Sequence, residues 1–134
     1  MKISLCSSAR FFDKLQGIKE RLESFGFDVL LPSMVDYHNL EETALAKIQF
    51  NLIRAHFEKI NYSDAILVVN YDKGDVRNYI GGSVLLEMGK AFDCKIPIFV
   101  LNPVPEVSYR EEIIALQPMI LNGDLDKIKE ILKI

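Results

Sequence analysis

Glu87 falls in the second turn of a helix opened by the glycine pair Gly81-Gly82, within reach of a ligand bound at the helix mouth. Spacing alone favours a surface glutamate paired with Lys90, with Ser83, Glu87 and Lys90 sharing one helical face, and it is location after the switch-point loop that raises the functional reading. In Tyr79-Ile80-Gly81-Gly82-Ser83 the glycines let a backbone approach a ligand and adopt positive φ, although a tight turn explains them as well. They complete neither a Walker loop nor a G-x-G-x-x-G fingerprint. A second segment, Ser7-Ser8-Ala9-Arg10, combines two hydroxyls, backbone amides and a guanidinium at a helix N-terminus, which makes an anion site. Its alternative is a helix cap by Ser7 or Ser8 with Arg10 in solvent. His56 shares a helical face with Leu52 and Ile60, where a histidine more often packs than reacts, and Asp64 and Asp93 read as turn residues.

These groups need elements to hold them, and apolar β-rich runs alternating with helical periods supply βαβ units. Strands are expected over 2–6, 28–31, 65–69, 97–101 and 119–121. Helices are expected over 11–24 (Phe12, Leu15, Ile18 and Leu22 inward), 42–61 (Leu45, Ile48, Leu52, His56 and Ile60), 81–93, 110–116 and from 124 onward. In the third of these the buried stripe reads Val84, Leu85, Met88, Ala91 and Phe92. Gly26 ends the first helix and Pro32 the second strand, a polar and aromatic loop covers 33–41, and a charged loop covers 71–79. Right-handed crossovers put helices on both faces, so the fold class is α/β. It is a three-layer sandwich with a five-stranded parallel sheet in the flavodoxin-like order 2-1-3-4-5. Ligands of such sheets sit beyond the carboxyl ends of strands one and three, which selects 7–10 and the segment from Asn70 to Glu87. No repeat, linker or low-complexity tract divides residues 1–134, so one domain is expected.

Composition narrows the function. At 134 residues with 49% hydrophobic and 26% charged residues, the chain is long enough to bury a core. A net charge of −3 without a Lys/Arg cluster disfavours a nucleic acid polymer as partner. No apolar run approaches the ~20 residues of a membrane span, and the N-terminal run is too short for a signal peptide, so a cytoplasmic protein is expected. Cys6 and Cys94 form no C-x-x-C pair and read as reduced, half-buried thiols. Two histidines without a cysteine cluster offer no ordinary zinc spacing, so neither metal nor cofactor is expected.

The chain resembles the nucleoside 2-deoxyribosyltransferase superfamily, which includes the 2-deoxynucleoside 5′-monophosphate N-glycosidases. The resemblance spans nearly the whole length, through 6–10, 63–69, 81–91 and 95–98. Its most specific part is an apolar run, Glu87, Met88, Gly89 and then Ala91 ahead of the fourth strand. It implies cleavage of an N-glycosidic bond in a nucleoside or its monophosphate, with Glu87 as nucleophile and Ser8 and Arg10 at positions that hold a 5′-phosphate. Ser7, Asn70, Tyr79, Gly81, Gly82 and Ser83 are the further binding residues expected around that substrate. A homodimer or larger assembly is implied too, with a neighbour's polar residue aligned near Glu111. Three positions depart from the family pattern. Ser4 replaces a first-strand tyrosine that steadies the glutamate, His56 replaces an aspartate that handles protons at the base, and Gly81 replaces an Asp or Ser. A histidine can still donate a proton to a leaving base. The alternative is a module that binds a nucleotide or nucleotide sugar without cleaving it. A phosphoribohydrolase with a Gly-Gly and paired-glutamate motif fits less well, since Met88 follows Glu87.

Overall fold

Strand and helix alternate as the apolar periods require in the computed structural model, which describes residues 1–33 and 42–134, with the backbone alone for 42–50. The loop expected over 33–41 thus lies outside the described residues from 34 onward, as do the side chains of Leu45 and Ile48. The strands are β1 (Lys2–Cys6), β2 (Asp28–Leu30), β3 (Ala65–Val68), β4 (Ile98–Val100) and β5 (Met119–Ile120). They pair in parallel in the order β2-β1-β3-β4-β5. The helices are α1 (Phe12–Ser24), α2 (Glu42–Asn61), α3 (Gly82–Asp93), α4 (Arg110–Ala115) and α5 (Asp126–Leu132). Among the described residues no helix is long and apolar enough to cross a membrane.

The pleat sorts the layers, because successive strand residues point to opposite faces. Ile3 and Leu5 of β1, with Leu67, Phe99 and Leu121, face Leu15, Ile18 and Leu22 of α1 and Ile128 of α5. Cys6, Ile66, Val68, Ile98 and Val100 face Ile60 of α2, Val84, Met88 and Ala91 of α3, and Ile113 of α4. Both faces of the central strands are therefore covered, which is why β3 reads as unbroken apolar sequence. Gly26 halts α1 at φ +97°, where the N–H of Phe27 reaches back to the Leu22 carbonyl at 3.3 Å.

Helical ends shift from the expected positions for local reasons. A 3-10 turn, Ala9–Phe11, precedes α1, and the Ser8 hydroxyl accepts from the Arg10 N–H at 3.4 Å. Asp124 stays outside α5 and its carboxylate accepts the Asp126 N–H at 3.0 Å. The apolar stripe of α3 is rotated from the expected one: Phe92 is 47% exposed, while Glu87 takes a place on the buried face with Val84, Met88 and Ala91. A stripe drawn from hydrophobicity assigns the glutamate outward; the fold turns it in.

Candidate active site

The sheet reverses direction between β1 and β3, since β1 leads outward to β2 and the chain then crosses back. A cavity of about 340 Å³ opens at the carboxyl ends of these strands. Phe12, Pro32, Leu52, Ile53 and Val84 form its apolar wall. Ser7, Ser8, Ser33, Ser83, Lys73 and Tyr79 contribute polar groups, and His56 and Glu87 line it from α2 and α3. Ser7, Ser8, Tyr79, Gly81, Gly82, Ser83, His56 and Glu87 are thus brought together around one space.

Arg10 and Asn70 are not part of that lining. Arg10 is exposed on the 3-10 turn just after Ser8. Asn70 is fully buried, and its side chain is committed to protein partners. Its amide nitrogen donates to the carbonyls of Asn78 at 3.1 Å, Asn102 at 3.1 Å and Pro103 at 3.2 Å, and its oxygen accepts the Asn102 N–H at 2.9 Å. Asn102 returns the contact through its own amide to the Asn70 carbonyl at 2.8 Å. Asn70 therefore clasps the loops after β3 and β4 and holds the cavity rim from behind, in place of the ligand contact expected of it. Asn70→Ala leaves several buried groups unpaired and should cost about 2 kcal/mol of stability in denaturant unfolding. An unchanged midpoint would show that the clasp contributes nothing.

The glycine pair also acts differently from the sequence expectation. Gly81 sits at φ −87° and ψ 177°, and neither it nor Gly82 needs positive φ. What Gly81 accommodates is Tyr79: a Cβ at Gly81 would lie 2.9 Å from the phenol oxygen and 3.2 Å from two ring atoms. Lys73 covers the same ring, with its ammonium 4.5 Å from the centroid, a cation–π distance. Lys73 was not singled out by the sequence, which carries no periodic or motif signal for it. Its place comes from the short 73–76 bridge, with Lys73 and Val76 paired N–H to carbonyl in both directions.

Deeper in the site three titratable side chains from three elements converge. Cys6 ends β1, His56 comes from α2 and Glu87 from α3; all three are buried. The Cys6 sulfur lies 3.3 Å from His56 Nε2, and His56 Nε2 lies 3.8 Å from Glu87 Oε2. That second distance is too long for a hydrogen bond. His56 Nδ1 and Glu87 Oε2 are both buried without a hydrogen-bond partner.

Burial governs the protons. It pushes Glu87 up to about 7, against a smaller lowering from its hydrogen bond with Cys6. It lowers His56 to about 4, helped by the positive charge of Lys59. It raises the Cys6 thiol well above its ordinary value, with the Glu87 charge adding to the effect. At neutral pH the site therefore holds a neutral imidazole, a protonated thiol and a carboxyl poised between its two forms. The imidazolium expected to protonate a leaving base is scarce there, because burial removes it.

Two expectations about this centre change with the fold. Ser4, aligned with the residue that steadies the glutamate, instead bonds Ser63 hydroxyl to hydroxyl at 2.6 Å, lower on the same face. Cys6, two residues further up β1 and so on that face, is the β1 side chain beside Glu87. It is fully buried, not half-buried, whereas Cys94 keeps partial exposure. Strand alternation at the switch point was the signal that could have found Cys6. Spacing along the chain also gave no metal-ligand cluster, yet the ligand-type atoms of Cys6, His56 and Glu87 lie within 4.8 Å of one another.

No protein-family model matches the sequence, and no curated protein matches it. Among solved structures the chain is similar to a 2-deoxyribosyltransferase from the psychrotolerant bacterium Bacillus psychrosaccharolyticus. The TM-score is 0.53 at 17% identity, over 75% of this chain and 71% of that one. This chain has the 2-deoxyribosyltransferase fold. At that identity the likeness describes architecture: a five-stranded parallel sheet in the order 2-1-3-4-5 with helices on both faces. Within the 2-deoxyribosyltransferase fold, the cavity and its buried carboxylate are this chain's own features and must be read from its own atoms.

Proposed function

We propose that the chain cleaves the N-glycosidic bond of a nucleoside or nucleoside 5′-monophosphate, with Glu87 as the nucleophile. The observation that carries this reading is a buried carboxyl group with an unpartnered oxygen, lining a cavity at the switch point of the sheet. The fold it shares with a 2-deoxyribosyltransferase supports the same chemistry. About 340 Å³ is within the range of small-ligand pockets, roughly 300–1,000 Å³.

In this mechanism a Glu87 oxygen attacks the anomeric carbon while the bond to the base nitrogen breaks and its electron pair leaves with the base. The base takes up a proton, and a glycosyl ester remains on Glu87. Water then hydrolyses the ester and regenerates the carboxylate, or a second base accepts the sugar. The Cys6 thiol, beside the carboxylate, positions it. His56, neutral, has its Nε2 on the Cys6 sulfur, which leaves the unpartnered Nδ1 as the ring nitrogen to meet the leaving base. The apolar wall of Phe12, Leu52 and Ile53 suits a base or sugar face, while Ser7, Ser8 and Ser83 with Lys73 suit the 5′ end, which Arg10 would reach from the turn after Ser8. In the same reading residues 1–134 act as one unit within a homodimer or larger assembly, to which exposed Glu111 on α4 would contribute.

The test is incubation with a panel of nucleosides and 5′-monophosphates, with free base read by chromatography and the quenched protein weighed by mass spectrometry. Base release with a transient sugar adduct on the peptide holding Glu87 is the expected result. A ligand that raises Tm and stays intact would instead mark a non-catalytic binding module.

A further inference from the structure

We propose that Cys6, His56 and Glu87 form a binding site for a divalent cation of the zinc class, with its fourth coordination position open to the cavity. The ligand atoms are one sulfur, one nitrogen and one carboxylate oxygen, all within 4.8 Å of one another. Zinc bonds of about 2.3 Å to sulfur and 2.0–2.1 Å to nitrogen or oxygen give tetrahedral edges of roughly 3.3–3.6 Å. The separations are 3.3 Å from sulfur to Nε2 and 3.8 Å from Nε2 to Oε2, with the sulfur-to-carboxylate edge within 4.8 Å, so closing on an ion takes side-chain shifts of up to about 1 Å. Three protein ligands and one open position is the arrangement of a reactive zinc site, as opposed to a closed structural one.

A second observation points the same way. Glu87 Oε2 is buried with no hydrogen-bond partner, on a residue only 8% exposed, and its lone pairs are free for a ligand. Charge balance adds a physical reason. A thiolate, a carboxylate and a dication sum to zero, which is the state a buried site tolerates; without the cation the thiol and carboxyl must hold protons or leave charge unpaired. The donor set selects the metal: sulfur and imidazole nitrogen favour zinc or cobalt over magnesium or calcium, which demand oxygen. Binding displaces the thiol proton and any proton on Glu87, so the ion replaces hydrogens and needs no redox partner. The site stands without the glycosidic reading. Where that reading holds, an ion would occupy the nucleophile and act as a reversible brake.

The experiment uses the untagged full chain, stripped with a chelator and titrated with Co²⁺ and then Zn²⁺. One equivalent of Co²⁺ should produce a thiolate-to-cobalt charge-transfer band and tetrahedral visible bands, which Zn²⁺ abolishes. Cys6→Ser should remove the charge-transfer band and weaken Zn²⁺ binding at least about 100-fold, and His56→Gln should weaken it comparably while leaving the thiol in place. Cys94→Ser, whose thiol bonds Asn61 at 3.4 Å well outside the cluster, should change neither. Circular dichroism confirms that each variant is folded, and His56→Gln decides the matter if Cys6→Ser is not. A parent protein with no charge-transfer band, or variants at Cys6 and His56 that bind like the parent, would overturn the proposal. Base release without cobalt binding sinks this inference alone, whereas cobalt binding by a chain that releases no base even when stripped of metal sinks only the glycosidic one.

Discussion

Glu87→Gln is expected to release base at least about 1,000-fold more slowly than the parent, because an amide cannot form and then discharge the glycosyl ester. The side chain keeps its size, so the cavity and the fold should remain. Among the described residues neither titratable neighbour can take over the attack. Cys6 is held as a neutral thiol and is not among the residues lining the cavity, and His56 is lowered to about 4 by burial, with no bond to Glu87 that would orient it as a nucleophile. Glu87→Ala should be as inactive, and added formate or azide offers a small anion to fill its gap. A Glu87→Gln protein that releases base at the parent rate would move the nucleophile elsewhere.

The same substitution should stabilise the protein at pH 8, by up to roughly 3 kcal/mol, since each unit of pKa shift is worth about 1.4 kcal/mol. Glu87 stands at about 7 in the folded chain against an ordinary 4.5. Its contribution to stability is therefore fully present below pH 4.5 and is lost as pH rises through about 7. Above that the parent keeps an ionised, unpartnered carboxylate in a buried position. Glutamine does not titrate, so its advantage should open between pH 5 and pH 8. His56 runs in the opposite sense: at about 4 against an ordinary 6.5, its contribution is present above 6.5 and is lost as pH falls through about 4. In the parent the two slopes offset each other from about pH 4.5 to 6.5; in Glu87→Gln stability should climb through that interval and then level. Denaturant unfolding of both proteins across pH 4–8 checks this, and parallel curves would contradict it. Base release by the parent should rise through pH 7, where attack becomes possible and stability declines, so one proton governs both.

The order of the sheet was readable because it depends on local rules. Short apolar strands, helical periods between them and right-handed crossovers leave few arrangements, and β2-β1-β3-β4-β5 is the one found. The same rules placed Ser7, Ser8, Tyr79, Gly81 and Ser83 at one end of the sheet. Side-chain roles were less readable, because they depend on what arrives from distant parts of the chain. Asn70 looked like a ligand contact until Asn102, thirty-two residues later, consumed its amide. Phe92 and Glu87 exchanged their expected faces, since hydrophobicity records how a helix is sorted on average and not where a cavity interrupts the core.

Sequence by itself determined the architecture and the end of the sheet where chemistry belongs, through periodicities that act over a few residues. Tertiary structure alone decided that Cys6, His56 and Glu87 meet, that burial holds the first two neutral and suspends the third near neutrality, and that Lys73 covers Tyr79. Proton affinity is set by desolvation and by neighbours in space, and no spacing along a chain encodes either.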